Sequence, residues 1–323
     1  MLRKIKRLLF PTRHILKEIR SLIRESNRAQ DQLEDIRRQT RDLHARLREI
    51  HVEQNKATHF SNLAVQEHFK NILSTDEVPE DDISFTLELA TRQLDFQIQN
   101  HDISKPIVCT VALGEAYRAK VAGCLKSQLE YCTRNGYAYV ELTVPPDVML
   151  RAASWYKISM LYSLLKLGYK DVCYIDADAL ITNPAIRLEG FFDRLTAKKK
   201  SLLISVDDSG INMGVFFLRN NPSSLRLLDL IWSYDVDLDN GTWEQNALRE
   251  LLKSHRVLQK IILIAEQPKD FNSFPPERIH FFSNLNKQVN SWTEGDFICH
   301  FSGLRSPDLD KLMAKYVAAQ SST

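Results

Sequence analysis

Three hydrophobic patterns succeed one another along the chain. The first is a seam. Ile15, Ile19, Leu22, Ser26, Ala29, Leu33, Ile36, Thr40, Leu43, Leu47 and Ile50 recur at alternating spacings of four and three, and no proline or glycine interrupts residues 12–78. That spacing keeps one stripe of a helix turned toward a partner, so it predicts a coiled coil. Ser26, Ala29 and Thr40 weaken the seam, which points to a modest dimer or trimer; the alternative is a single helix lying on the rest of the protein. The second pattern is polar: Ser74-Thr75-Asp76-Glu77-Val78-Pro79-Glu80-Asp81-Asp82 reads as an acidic linker, followed by a helix to about Asn100.

The third pattern alternates short apolar runs with amphipathic segments. Pro106–Leu113 reads as a buried strand ended by Gly114, and Ala116–Asn135 as a helix stopped by Gly136. Tyr137–Leu142 is a second strand. A helix from Ser154 ends at Gly168 and leads into the apolar run Val172-Cys173-Tyr174-Ile175. Strands at Leu202–Val206 and Gly214–Leu218 and a helix from Ser223 to Tyr234 follow. This alternation predicts an α/β sandwich with a largely parallel sheet. The expected division is a basic amphipathic start and coiled coil over 1–60, a helical and acidic linker over 61–103, and an α/β domain over 104–318.

Composition narrows the picture modestly. A formal net charge of +2 over 323 residues gives no reason to expect a nucleic-acid partner. The charge is uneven, however: Arg3, Lys4, Lys6, Arg7, Arg13, Lys17, Arg20 and Arg24 face Glu18 alone among residues 1–24, with Leu2, Ile5, Leu8, Leu9 and Phe10 between them. Such a segment either lies on an anionic membrane surface or is a solvated helix end. The five cysteines are scattered, form no C-x-x-C pair and suit a reducing compartment. No run approaches the roughly 20 apolar residues of a membrane span, and Asn240-Gly241-Thr242 reads as a chance sequon. The expectation is a cytoplasmic protein, held peripherally at the inner face of a membrane if the basic start binds lipid.

Candidate chemistry sits at the end of the Val172–Ile175 run. Asp-x-Asp occurs four times in the chain, but only Asp176 and Asp178 follow a buried strand. Asp235, Asp237 and Asp239 lie in a polar loop with asparagine where a calcium loop needs glycine and glutamate. Asp308 and Asp310 read as a helix start. In α/β sheets ligands bind beyond the carboxyl ends of the strands. Two carboxylates there suit Mn²⁺ or Mg²⁺, with a substrate diphosphate completing the shell.

The run Trp155-x-Lys157-Ile158…Tyr174-Ile175-Asp176-Ala177-Asp178-Ala179-Leu180 resembles the core of GT-A (Rossmann-like) glycosyltransferases, most of all glycosyltransferase family 34, the α-galactosyl, α-mannosyl and xylosyltransferases. Tyr131-Cys132-x-x-Asn135-Gly136-Tyr137, Ile211–Asn220, Glu244-Gln245-Asn246-Ala247-Leu248 and His300-Phe301-Ser302-Gly303-Leu304-Arg305 are similar to that family's segments in the same order, so the likeness covers roughly residues 104–306.

The resemblance implies transfer of a sugar from a nucleotide-diphosphate sugar, a UDP-sugar ahead of a GDP-sugar, to a glycan or lipid-linked glycan, with retention. It makes Asp176, Asp178 and His300 the protein ligands of Mn²⁺. It puts Val111 and Gly114 in the floor under the base, and Gly303 and Arg305 at the diphosphate, Arg305 standing where the family has lysine. Tyr117 either stacks on the base or packs; Lys157 reaches the acids or the phosphate. Asp207 and Asp208 would face the transferred sugar or acceptor. Gln245 would place its amide near the anomeric carbon, or else cap the helix from Trp243. Two other readings remain: a coiled-coil scaffold with an inactive transferase-like domain, and a haloacid-dehalogenase-type phosphatase, whose nucleophile also opens an Asp-x-Asp.

Overall fold

The computed structural model describes residues 84–146, 149–207, 210–234, 243–277, 290–302 and 308–320. The predicted coiled coil, the basic start, Asp208, Gly303 and Arg305 lie outside the described residues. Elements run in the order α1 (Phe85–Arg92), β1 (Ile98–Gln99), β2 (Ile107–Val111), α2 (Glu115–Lys120), α3 (Ala122–Asn135), β3 (Ala138–Leu142), α4 (Tyr156–Lys166), β4 (Asp171–Ile175) and β5 (Ala179–Ile181). They continue with α5 (Glu189–Lys198), β6 (Leu202–Asp207), β7 (Gly210–Arg219), α6 (Pro222–Ser233), α7 (Glu244–Ser254), β8 (Ile262–Ile264), β9 (Ile298–His300) and α8 (Asp308–Gln320).

Seven strands form one sheet in the order β1-β3-β2-β4-β7-β6-β8, and β5 pairs with β9 in a second, two-stranded sheet. The apolar runs at β2 and β4 are continuous because both sheet faces are covered. Ile107, Cys109, Val172 and Tyr174 point into a cluster with α4 and α6, while Val108, Cys173 and Ile175 point into another with Tyr131 and Cys132 of α3 and Phe191 of α5. This is the period-two alternation of a strand, used to bury both faces.

The sheet departs from the largely parallel one expected from sequence. β3, β2 and β4 are mutually parallel, as are β6 and β8, but β1–β3, β4–β7 and β7–β6 are antiparallel. The reason is local. β6 and β7 pair with a register shift between Ile204 and Ser205 and close on Asp207 opposite Gly210, so they form a hairpin, and a tight hairpin reverses the chain whereas a parallel neighbour needs a long crossover. Two smaller differences are also local. The helix expected to run to Asn100 ends at Arg92 and gives way to β1, and the one expected over 116–135 breaks at Val121, which caps α2 and begins α3. Residues 84–99, placed in the linker by sequence, supply Leu87 and Ala90 to the core and a strand to the sheet.

β3 lies on one side of β2 and β4 on the other, so the strand order turns between β2 and β4. The crevice at their carboxyl ends is where such a sheet binds ligands.

Candidate active site

β4 ends at Ile175, and the chain turns at once: Ala179 N–H donates to Asp176 O at 3.0 Å, and β5 departs. The turn is fixed by α3. Gln128, fully buried on an otherwise apolar helix face, donates its amide to Asp176 O (3.0 Å) and Ala179 O (2.9 Å). The β5–β9 ladder then places Ala179 opposite His300, although 121 positions separate them in sequence. A short antiparallel pairing thus carries the distant histidine to the two acids.

His300 Nε2 stands 3.4 Å from Asp178 Oδ1 and 3.6 Å from Asp176 Oδ2. One ligand atom from each of the three residues lies within 4.8 Å of the others. The histidine is 1% exposed, its Nε2 is buried without a hydrogen-bond partner, and the two carboxylate side chains keep 29% and 18% exposure. A buried bare nitrogen facing two partly open acids is a donor set that fits a hard or borderline divalent ion with room for outer ligands. Burial raises Asp176 above the ordinary carboxylate range despite the neighbouring Lys157. For Asp178 burial pushes upward too, but a protonated His300 beside it outweighs burial and holds the group low.

Gly214 makes the assembly sterically possible. It lies on β7, and its carbonyl accepts from Asp176 N–H at 2.7 Å. A Cβ there would come within 2.9 Å of both Asp176 Oδ2 and His300 Nδ1, and closer still to His300 Cε1. In sequence Gly214 lies inside an apolar strand and carries no local mark of this role.

Lys157 reaches the acids. Its ammonium, on a 4% exposed residue of α4, donates to Glu244 Oε1 (2.8 Å), Met213 O (3.1 Å) and Asp176 Oδ1 (3.2 Å), and it lies 4.7 Å over the Tyr174 ring. Burial alone would lower it, but Asp176 and Glu244 together hold the ammonium above its ordinary value. Its three protons are all directed at protein acceptors. Tyr174 OH adds a bond to Asp176 Oδ1 at 2.9 Å.

The remaining candidates fall on two sides. Val111 ends β2, and Gly114 follows with φ +88°, a conformation that side chains resist, at the start of α2. Tyr117 on α2 is 40% exposed; burial of its hydroxyl, then the carboxylates of Asp178 and Asp176, push the phenol well above its usual range. On the other side Gln245 opens α7, and its Oε1 accepts from Met213 N–H at 3.0 Å. Among the described residues its Nε2 has no partner. Asp207, at the end of β6, accepts from Asn212 Nδ2 at 2.7 Å through Oδ2. Gln128, Glu244 and Asn272 escaped the sequence reading as site residues. The signal for Gln128 was a polar residue on the buried stripe Cys124, Leu125, Tyr131, Cys132; Asn272 sits in irregular chain, where no period marks it.

Residues 192–307 match the model of the galactosyl transferase GMA12/MNN10 family, glycosyltransferase family 34. The chain is a glycosyltransferase, most like family 34. It is 23% identical over 247 residues to the probable alpha-1,2-galactosyltransferase gmh1 of Schizosaccharomyces pombe, covering 64% of this chain and 69% of that one. With the probable alpha-1,6-mannosyltransferase MNN10 of Saccharomyces cerevisiae it shares 23% over 216 residues, 55% of this chain and 54% of that one. Beyond gmh1, the chain spans about half the length of the curated relatives it matches. The crystal structure of a glycosyltransferase involved in the glycosylation of the major capsid of PBCV-1 superposes with a TM-score of 0.51 at 15% identity, over 65% of this chain and 99% of that one. That likeness supports the GT-A fold.

Proposed function

We propose that this glycosyltransferase is metal-dependent and moves a hexose, galactose or mannose, from a nucleotide-diphosphate sugar to a glycan acceptor with retention. The carrying observation is the Asp176–Asp178–His300 cluster, with its bare, buried Nε2, at the carboxyl end of β4. Asp176, Asp178 and His300 would hold a divalent ion, whose positive charge would stabilise the departing diphosphate. The chain's own groups do the rest of the positioning. Val111, Gly114 and Tyr117 flank the side on which the nucleotide base would lie, with Tyr117 as a face for stacking. Gln245 would bring its amide to the reacting centre, with the oxygen rather than the amino group turned toward the positive charge that develops at the anomeric carbon. Arg305, by its sequence position, would neutralise the diphosphate.

An acceptor sugar would meet α7. Trp243, the residue before this helix and 58% exposed, offers a broad apolar face two positions from Gln245. The phosphatase and scaffold alternatives are not favoured, because the family match runs through Gln245 and His300. The deciding test is calorimetric titration with UDP, GDP and their sugars, each with Mn²⁺ and with EDTA. Binding of one nucleotide, UDP ahead of GDP, that requires Mn²⁺ is the expected outcome; equal binding in EDTA would remove the metal from the reading.

A further inference from the structure

We infer that Asp207, Asn212 and Asn272 form a relay that fixes the tautomer of His300, so that its Nε2 lone pair faces the acid pair before any ion arrives. The inference deepens the metal reading above and uses the same cluster, but the proton position it assigns stands apart from that reading.

The argument follows hydrogen-bond direction through the buried network. Asn212 is oriented twice over. Gly214 N–H, a backbone donor with no alternative role, donates to Asn212 Oδ1 at 2.8 Å. At the other end the carboxylate of Asp207 can only accept when ionised, and it takes Asn212 Nδ2 at 2.7 Å. Asn212 Oδ1 must therefore face a donor on Asn272. That donor is Asn272 Nδ2, at 2.9 Å, which also reaches Ser205 Oγ at 2.8 Å. The amide of Asn272 is thereby fixed, and its Oδ1 lies 2.8 Å from His300 Nδ1. Since an amide oxygen cannot donate, Nδ1 must carry the proton.

The neutral ring then has no proton on Nε2, the nitrogen that stands 3.4 Å and 3.6 Å from the two aspartates without a hydrogen-bond partner. Free histidine prefers the opposite tautomer, so the relay works against the intrinsic bias of the ring. The members are 0%, 3% and 1% exposed at Asn272, Asn212 and His300, which keeps competing water out. Asn272 and Asn212 are thus positioning residues, acting through His300. Groups that hold the far nitrogen of a ligating histidine typically change metal affinity about 10–100-fold when lost.

The test reads the proton directly. Long-range ¹H–¹⁵N spectra of the ¹⁵N-labelled full-length protein, taken without metal in alkaline buffer so that neutral imidazole is observed, report which nitrogen of His300 is protonated, with His300→Gln identifying the signal. A proton on Nδ1 is expected; a proton on Nε2 overturns the relay. In Asn272→Leu the preference should vanish and Mn²⁺ affinity, read by electron paramagnetic resonance of the free ion, should fall about 10–100-fold. An unchanged tautomer and unchanged Mn²⁺ affinity in that variant would also overturn it. Should Asn272→Leu fail to fold, the wild-type spectrum decides by itself. A wild-type proton on Nδ1 together with no Mn²⁺ uptake would support the relay and remove the metal reading, so the two failures are distinct.

Discussion

The two flanks of the Asp176–Asp178 turn are built by different means. On the α3 flank the contacts go to backbone: Gln128 holds the carbonyls of Asp176 and Ala179, Ser127 Oγ accepts from Ile181 N–H, and β9 pairs with β5. On the β7–α7 flank the acids and His300 are met by side chains, Lys157 at Asp176 and Glu244, Tyr174 at Asp176 and Asn272 at His300, while the backbone of Met213 and Gly214 holds Lys157, Gln245 and Asn212 in place. The first flank sets where the acids stand. The second sets their charge and the lone pair presented to them. Position and electrostatics are therefore separable in this site, and variants on the two flanks should fail differently.

The largest effect is expected from Lys157→Met. The change removes the shared cation and leaves the 3% exposed Glu244 and Asp176 without it. Breaking a buried ion pair from one side costs about 3–5 kcal/mol, which a shift of the urea midpoint would report. Glu244 Oε2 already lacks a partner, so little remains to absorb its charge. A loss below about 1 kcal/mol, the scale of a surface pair, would mean that the cluster is hydrated and that the β7–α7 flank contributes no more than the other. Next comes Gly214→Ala, which should cost about 1–3 kcal/mol as overpacking and also weaken Mn²⁺ binding, because the methyl displaces His300. Gly190→Ala serves as its control: Gly190 is helical with nothing near its absent Cβ, and alanine there should be neutral or stabilising by up to about 1 kcal/mol.

The same division explains what could be read from the sequence. The strand–helix alternation from β2 to β4 was legible, because both are local periodic signals and the strands are buried on both faces. So was the place of the acid pair at the end of β4, because Asp176 and Asp178 directly follow an apolar run. His300 and Gln245 came from resemblance, since nothing local separates a ligating histidine from a core one. The mixed strand directions were not legible: hydrophobic period carries no direction, and the β6–β7 ladder closes on Asp207 opposite Gly210, too near in sequence for a crossover. Nor was the relay: Asp207 and Asn212 meet across one hairpin, but Asn272 and His300 join them only through tertiary packing. Lys157 shows the limit most plainly, because an amphipathic helix pattern cannot distinguish a solvated lysine from one buried between two acids.

On the backbone-directed flank, Gln128→Leu should be milder than Lys157→Met. It removes two hydrogen bonds to buried carbonyls, about 1–3 kcal/mol. Asp176 O keeps its bond from Ala179 N–H, so the turn persists. Thermal unfolding should record the loss, while Mn²⁺ affinity of the folded protein stays within severalfold. If affinity instead collapses with only a small loss of stability, α3 also tunes the acids, and the separation of the flanks is wrong.

The smallest effect should fall on the two exposed aromatics that mark the flanks, Tyr117 on α2 and Trp243 before α7. Neither holds the core, so alanine at either should leave the unfolding midpoint nearly unchanged. Tyr117→Ala should weaken nucleotide binding by about 1–3 kcal/mol, the scale of a base on an aromatic face, with the acceptor KM unaltered. Trp243→Ala should do the reverse: a severalfold higher acceptor KM, and donor binding by calorimetry as in the parent. Trp243→Phe, which keeps an apolar ring, should recover part of the acceptor loss. If Trp243→Ala weakens donor and acceptor equally, its ring acts through Glu244 and Lys157 on the acid pair, and α7 belongs to the electrostatic machinery rather than to acceptor binding.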